Sequence, residues 1–167
     1  MKKSGKIKLT WDLIPNALGY KVLVSDAADG TYTLAEEVTE EEYTYSGKPG
    51  AKYLFKVVAV NAAGEESQES EVVSKIQLPA QVTNLKATSK KGQVTLKWKK
   101  VSGAKRYFVY MSKNGKTGWK KVGTATKNSF IYKKGKVGQK LYFKVLALTA
   151  NNKKGEFSKV VSIKVKK

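Results

Sequence analysis

The chain contains no cysteine and no histidine, and these two absences exclude most catalytic chemistry. Without cysteine there is no disulfide and no thiolate nucleophile. Without histidine there is no imidazole metal ligand and no histidine general base. Glu156 is the one acid after residue 79, so the second half also lacks the paired carboxylates of a glycosidase. We therefore predict that the protein is not an enzyme and uses no cofactor and no metal.

Long apolar runs are missing as well. No run approaches the roughly 20 residues that span a bilayer, so we expect no membrane span. The basic start Met1–Lys3 is not followed by the apolar stretch of a signal peptide. If the protein is exported, we expect its signal and anchor outside this chain. Hydrophobic residues make up 41% of the sequence, which is enough to form a folded core.

The sequence repeats itself once. Lys8–Trp11 returns as Thr95–Trp98 at an offset of 87 residues, which aligns the leucine and the tryptophan of each segment. Phe55–Val57 returns as Phe143–Val145 at an offset of 88, so the second copy contains one extra residue, near Gly135 and Lys136. A repeat that stays in register over this length predicts duplicated modules. We place their limits at 1–78 and 79–167.

Each copy alternates apolar and polar residues in short segments separated by Gly, Asn or Pro, a pattern that predicts β-strands. The predicted strands of the first copy are Lys6–Trp11, Tyr20–Ser25, Tyr32–Val38, Tyr43–Tyr45, Tyr53–Asn61 and Glu71–Ile76. Those of the second copy are Val82–Thr88, Gln93–Lys99, Tyr107–Ser112, Trp119–Thr124, Ser129–Tyr132, Leu141–Thr149 and Lys159–Val165. About seven short strands in fewer than 90 residues favour an all-β fold of two packed sheets.

Three sequence features then point to one family. A tryptophan occupies the second strand of each copy, Gly19–Val22 reads Gly-Tyr-Lys-Val, and Pro49–Tyr53 reads Pro-Gly-Ala-Lys-Tyr before an alternating strand. In this order the chain resembles the fibronectin type III family. The resemblance implies two tandem seven-stranded, immunoglobulin-like β-sandwiches, with Tyr53 as the tyrosine-corner residue. The side chains that we expect in the two cores are Trp11, Tyr20, Tyr53, Trp98, Tyr107 and Leu141.

The two copies depart from that pattern in different ways. In the second copy Leu141 holds the tyrosine-corner position, and alternation predicts that the neighbouring Tyr142 faces solvent. In the first copy, nothing before Trp11 corresponds to Val82 and Leu85, so we expect its N-terminal strand to be missing or unrecognisable. The open sheet edge that results is an association hazard. We expect either a neighbouring chain or upstream residues to cap it, or the edge to be tolerated as it stands.

Charge is divided unequally between the copies. Residues 1–79 hold 9 lysines and 12 acids, a net charge of −3, whereas residues 80–167 hold 24 cations and one acid, a net charge of +23. Such a surface attracts polyanions. Arg106 is the one arginine among those cations, and lysine lacks the bidentate fork that reads base edges, so we expect no sequence-specific nucleic-acid binding. The alternative interpretation is that these lysines only keep the strand faces soluble.

The same alternation predicts an outer face of aromatic and basic residues on the second copy. If Tyr107 and Val109 point inward, Phe108 and Tyr110 point outward, on the sheet that also carries Tyr142, Lys144 and Leu146 outward. Such a face suits a sugar ring, a protein partner or a neighbouring module. The predicted binding residues are Phe108, Tyr110, Tyr142 and Lys144, with the lysines Lys120, Lys121, Lys133 and Lys134.

The leading hypothesis follows from this face and from the resemblance. The resemblance implies an extracellular or cell-surface, bacterial context, and a non-catalytic adhesion or spacer segment. Its second module would bind an anionic polysaccharide or wall polymer, and the alternative is a protein partner on the face around Phe108, Tyr110 and Tyr142. A weaker possibility is a calcium site at the turn that carries Asp26 and Asp29, although two acids in such a turn are more typical of turn chemistry.

Overall fold

The computed structural model describes residues 5–26 and 30–167, which contain thirteen β-strands and no helix. The first six strands are β1 (Ile7–Thr10), β2 (Ala17–Ser25), β3 (Thr33–Val38), β4 (Glu42–Tyr45), β5 (Lys52–Asn61) and β6 (Val73–Ile76). The other seven are β7 (Lys86–Lys90), β8 (Gln93–Lys97), β9 (Arg106–Ser112), β10 (Lys120–Ala125), β11 (Ser129–Tyr132), β12 (Lys140–Leu148) and β13 (Val161–Lys164). Within the described ranges no helix exists that could cross a bilayer.

The strands fall into two compact units, Lys6–Gln77 and Leu78–Lys167, the second of which also includes Gly5. Each unit holds two antiparallel sheets. Those of the first unit have the strand orders β4-β1 and β3-β2-β5-β6. Those of the second have the orders β11-β8-β7 and β10-β9-β12-β13. The all-β fold of two tandem sandwiches is therefore confirmed, and the domain limits 1–78 and 79–167 remain our proposal.

The core of each unit is built from the inward positions of alternating strands. In the first unit Ile7 and Leu9 of β1 pack with Val22, Tyr53 and Phe55 from the facing sheet. The same arrangement in the second unit is larger. Its fully buried side chains include Val94, Leu96, Val109, Leu141, Phe143 and Val145. Period-two alternation thus places one apolar face of each sheet against the other, as a sandwich requires.

The duplication extends to individual contacts. Trp11 meets Tyr20 edge to face with ring centroids 5.4 Å apart, and Trp98 meets Tyr107 in the same way at 5.2 Å. The hydroxyl of Tyr20 accepts a hydrogen bond from a backbone N–H six residues upstream, and the hydroxyl of Tyr107 does the same. Tyr20, Tyr107 and Trp98 are buried, whereas Trp11 is half-buried against its core. The two units therefore share one internal design.

They differ at the tyrosine corner. The hydroxyl of Tyr53 accepts a hydrogen bond from the backbone N–H of Lys48 at 2.8 Å. The ring lies so close to Gly47 that a Cβ there would stand 2.3 Å from a ring carbon, so this position requires glycine. In the second unit Leu141 is buried in the core at the corresponding place. A leucine has no hydroxyl, so it cannot make the corner bond.

The first strand of the sandwich differs most between the units. In the second unit β7 begins at Lys86, four residues later than the predicted start at Val82. Asn84 has a positive φ of 55°, which interrupts the extended backbone, although Val82 and Leu85 still pack against the core. In the first unit no strand within the described residues takes the place of β7. That this strand is missing or unrecognisable stays a prediction, because residues 1–4 lie outside the described ranges.

Candidate binding face of the second unit

The two units differ in how their cations are paired. Among the described residues every ion pair lies in the first unit, where Lys8, Lys21 and Lys56 meet glutamates. The side-chain contact with Glu66 and its charge raise the pKa of Lys21, and the contact with Glu69 raises the pKa of Lys56. The second unit has no ion pair between described residues. The described lysines of this unit are therefore not neutralised by carboxylates of the same unit.

Strands β9 and β12 bring the predicted face together. They pair antiparallel, with Tyr110 opposite Lys144 and Phe108 opposite Leu146. Val109 and Val145 are buried in the core. Their neighbours along each strand therefore point to the other side of the sheet. Tyr142 lies two residues before Lys144, on the same side. Four of the predicted binding residues, Phe108, Tyr110, Tyr142 and Lys144, thus share one surface.

Two lysines of this surface lie over aromatic rings. The Nζ of Lys144 is 4.3 Å from the ring centroid of Trp119 and 4.1 Å from that of Phe157. The Nζ of Lys121 is 4.0 Å from the ring centroid of Phe108. These are cation–π distances, so the negative ring faces hold both ammonium groups in place. We call the residues Phe108, Tyr110, Trp119, Lys121, Tyr142, Lys144 and Phe157 the lysine–aromatic face.

The remaining rings pack around these lysines. Tyr110 meets Phe157 edge to face at 5.1 Å, which connects the strand to the loop before β13. The Nζ of Lys140 lies 5.5 Å from the ring centroid of Tyr142. All of these rings are half-buried rather than covered. The face therefore combines half-buried rings with lysine side chains.

The loop between β9 and β10 sets the position of Trp119. Asn114 Oδ1 accepts hydrogen bonds from the backbone N–H groups of Lys116 and Thr117, which closes a tight turn. The indole N–H of Trp119 donates to the Lys116 carbonyl. Gly115 has a φ of 75°, and a Cβ there would stand 2.6 Å from the Tyr142 ring, so glycine is needed on both counts. Hydrogen bonds within the loop and the glycine at position 115 therefore determine the conformation of the loop.

The four lysines that we predict to take part in binding lie on different sides of the second unit. Lys121 pairs with Tyr110 and lies on the lysine–aromatic face, but Lys120 pairs with Met111 and therefore points to the opposite side of the sheet. Lys133 and Lys134 follow β11, which belongs to the other sheet of the sandwich. All four are exposed. The predicted set is thus spread over different sides of the unit, and only Lys121 joins the aromatic residues.

Two members of the face were not predicted, and one predicted outward residue is not exposed. Trp119 had been assigned to a strand, and Phe157 lies in a loop that carries no strand pattern. Their aromatic character among lysines was the one signal in the sequence. Leu146 does lie on the side of the sheet away from the core, but it is only 3% exposed. The predicted direction of Leu146 therefore agrees with the register, although the side chain is covered.

Metal binding receives no support from the described residues, which contain no cluster of three or more His, Cys, Asp or Glu side chains able to hold an ion. The calcium interpretation rested on Asp26 and Asp29. Asp29 lies outside the described residues, so the structure does not address that site.

Comparison with known proteins gives the fold. The sequence matches no protein-family model and no curated protein. Among solved structures, a segment of two fibronectin type III domains from chicken tenascin is 14% identical, with a TM-score of 0.61 over 99% of this chain and 94% of that one. The FN1–FN3 domains of chicken contactin (CNTN1) are 18% identical, with a TM-score of 0.50 over 99% of this chain. This chain spans 62% of the contactin segment. At these identities the likeness concerns the fold alone: the chain is folded as two tandem fibronectin type III domains.

Proposed function

We propose that this chain is a non-catalytic adhesion or spacer segment of an extracellular or cell-surface protein, in which the second unit binds an anionic polysaccharide or wall polymer. The observation that carries the proposal is the lysine–aromatic face. It places two ammonium groups over aromatic rings on a unit whose described cations have no carboxylate partners. The bacterial setting that the family resemblance implies belongs to this proposal.

The chemistry of the face suits a polymer of spaced anionic groups. Lysine is a compact point charge, which meets a single carboxylate or phosphate rather than gripping it in a bidentate way. Lys121 and Lys144 give up little side-chain freedom on binding, because Phe108, Trp119 and Phe157 already restrict them. The half-buried rings between them offer apolar edges to the carbon faces of sugar residues.

A pair of double variants tests the proposal. Lys121→Glu with Lys144→Glu reverses both cations on the lysine–aromatic face. Lys133→Glu with Lys134→Glu makes the same change in net charge on the other sheet. With polygalacturonate as the probe, we expect the first variant to lose at least about tenfold in affinity and the control to lose much less. We also expect the first variant to flatten the salt dependence by about one unit of log–log slope per lysine.

Equal losses in the two variants would contradict a localised site, because they would show that net charge alone drives adsorption. Unchanged binding by the first variant would contradict it as well. Affinity of the unaltered protein that persists at high salt would contradict the electrostatic mechanism, since exposed charges are screened beyond about 10 Å at 0.1 M salt.

The alternative function is binding of a protein partner on the same face. Its support is the aromatic content, since half-buried tyrosine and tryptophan rings next to cations are typical of interface centres. This function predicts binding that tolerates salt but fails on Tyr110→Ala or Tyr142→Ala. The salt titration therefore distinguishes the two functions.

A further inference from the structure

Two lysines stand directly opposite each other on the sheet that carries the lysine–aromatic face. Lys140 of β12 pairs with Lys164 of β13. The next residue along each strand, Leu141 and Val165, is buried in the core. Because side chains alternate along a strand, Lys140 and Lys164 point away from the core, and both are exposed. They therefore lie on the same side of the sheet as the lysine–aromatic face.

The side chains of these two lysines start close together. The N–H of Val165 donates to the Gln139 carbonyl at 2.9 Å, one position along the register. Hydrogen-bonded and non-hydrogen-bonded pairs alternate in an antiparallel ladder, so Lys140 and Lys164 form a non-hydrogen-bonded pair, with Cα atoms about 4.5 Å apart. Like charges directly opposite each other destabilise a sheet, and neither lysine forms an ion pair with a described carboxylate. An anion between the two ammonium groups would replace this repulsion with attraction.

Tyr142 connects this lysine pair to the lysine–aromatic face. It lies between Lys140 and Lys144 on the outer side of β12, and the Nζ of Lys140 is 5.5 Å from its ring centroid. Ser162 of β13 stands opposite Tyr142 and is exposed. A saccharide chain that passes from one lysine to the next would therefore cross an aromatic ring and a hydroxyl, which suit its carbon faces and its own hydroxyl groups.

The four cations of this side form a diagonal track across the sheet. Lys121 and Lys144 both pair with Tyr110, so their backbones are two strand spacings apart, about 10 Å. Lys140 precedes Lys144 by four residues, which is about 13 Å along the strand. Lys164 lies one strand further out. A ligand that contacts all four lysines must therefore span roughly 20 Å, from β10 to β13.

We propose that Lys140 and Lys164 extend the binding site, and that its ligand is an extended polyanion long enough to cross from β10 to β13. The inference rests on the function proposed above and narrows the class of ligand. One anionic group binds between Lys140 and Lys164, and other groups of the same chain meet Lys144 and Lys121. A mono- or disaccharide is shorter than this track. A longer chain gains affinity because, once one group is bound, each further contact is intramolecular.

The experiment measures binding of digalacturonate and of hexagalacturonate to the full chain. Lys140→Gln with Lys164→Gln removes the proposed pair, and relief of the repulsion keeps the fold stable. The matched control is Lys86→Gln with Lys97→Gln, which removes an exposed and directly opposed lysine pair on the other sheet. We expect the first variant to lose at least about tenfold in affinity for the hexamer and the control to lose less than about twofold. The preference for the hexamer over the dimer should fall in the first variant and persist in the control.

Salt dependence gives a second readout, since the first variant should flatten the log–log slope for the hexamer by about one unit per lysine. The proposal is overturned if this variant binds the hexamer as tightly as the unaltered chain while Lys121→Glu with Lys144→Glu weakens binding. In that case the function proposed above stands, with a shorter ligand. Equal losses in the two glutamine variants also overturn it, because net charge alone would then drive binding. Hexamer binding that Lys121→Glu with Lys144→Glu leaves unchanged would overturn both.

Discussion

The tyrosine corner occurs only in the first of the two modules, and its contribution to the free energy of unfolding of that module can be measured. Tyr53→Phe removes one oxygen and leaves the ring in place. The ring keeps its edge contact with Tyr45 at 4.9 Å and its contact with Phe55, so no cavity forms. What is lost is the hydrogen bond from the Lys48 N–H, which is 2.8 Å long in the folded module.

The magnitude follows from that bond. A hydrogen bond to a buried hydroxyl contributes about 1 kcal/mol net, and a buried donor left without a partner adds about 1 to 3 kcal/mol. Lys48 is exposed and the bond itself is only partly buried, so water meets part of that need. We therefore expect Tyr53→Phe to reduce the free energy of unfolding of the first module by about 1 to 2 kcal/mol. For a module of this size, each kcal/mol lowers the Tm by about 4 to 8 °C.

Urea unfolding followed by NMR separates the modules in one sample. The indole N–H signal of Trp11 reports the first module and that of Trp98 the second. Tyr53→Phe should shift only the Trp11 transition. The matched control is Tyr142→Phe, which alters the displaced tyrosine of the second module and should shift the Trp98 transition by less than about 0.5 kcal/mol. Equal shifts from the two variants, or no shift from Tyr53→Phe, would refute the assignment of the corner bond to the first module.

Two further predictions concern pH and packing. Burial, and next the neighbouring Tyr53, raise the pKa of Tyr45, so the folded first module favours the neutral phenol. The neutral Tyr45 phenol stabilises the folded module below the unfolded pKa of about 10, and this stabilisation is lost as pH rises through the higher folded pKa. Tyr45→Phe should therefore reduce the loss of stability that thermal unfolding shows between pH 9 and 11. Gly123→Ala would place a Cβ 2.2 Å from the Phe130 ring, so we expect the Trp98 transition to lose about 1 to 3 kcal/mol, whereas the exposed neighbour Thr124→Ala should cost little.

Much of the fold follows from local pattern. Alternation of apolar residues locates each strand to within a few residues, because a sandwich strand must bury every second side chain. The internal repeat adds the register, since Leu9 and Leu96 align and occupy matching places in their sheets. The expectation about the first strand of the first copy also comes from pattern, because no apolar residues precede Trp11 in the way that Val82 and Leu85 precede Trp98.

The candidate face is less predictable because loops complete it. Trp119 and Phe157 reach Lys144 from segments distant in sequence, and the turn around Asn114 that positions Trp119 gives no periodic signal. The burial of Leu146 could not be predicted either. Alternation predicts on which side of a sheet a side chain lies, but not which residues cover that side.

The grouping of the lysines shows a different limit. Neighbouring lysines such as Lys120 and Lys121 look like one cationic patch in the sequence, but a strand directs them to opposite sides. Lys133 and Lys134 lie beyond β11 in the other sheet, a separation that depends on topology rather than on sequence distance. Charge composition therefore predicts the kind of ligand, whereas the sheet decides which cations act together.

The most direct test of the central claim is an NMR titration of the full chain with polygalacturonate at low and at moderate salt. We expect the largest shift changes to fall on the side-chain signals of Lys121 and Lys144 and on the indole N–H of Trp119, and we expect salt to reverse them. Changes spread evenly over the lysines of both sheets, or concentrated at Lys133 and Lys134, would contradict a binding face on the lysine–aromatic side.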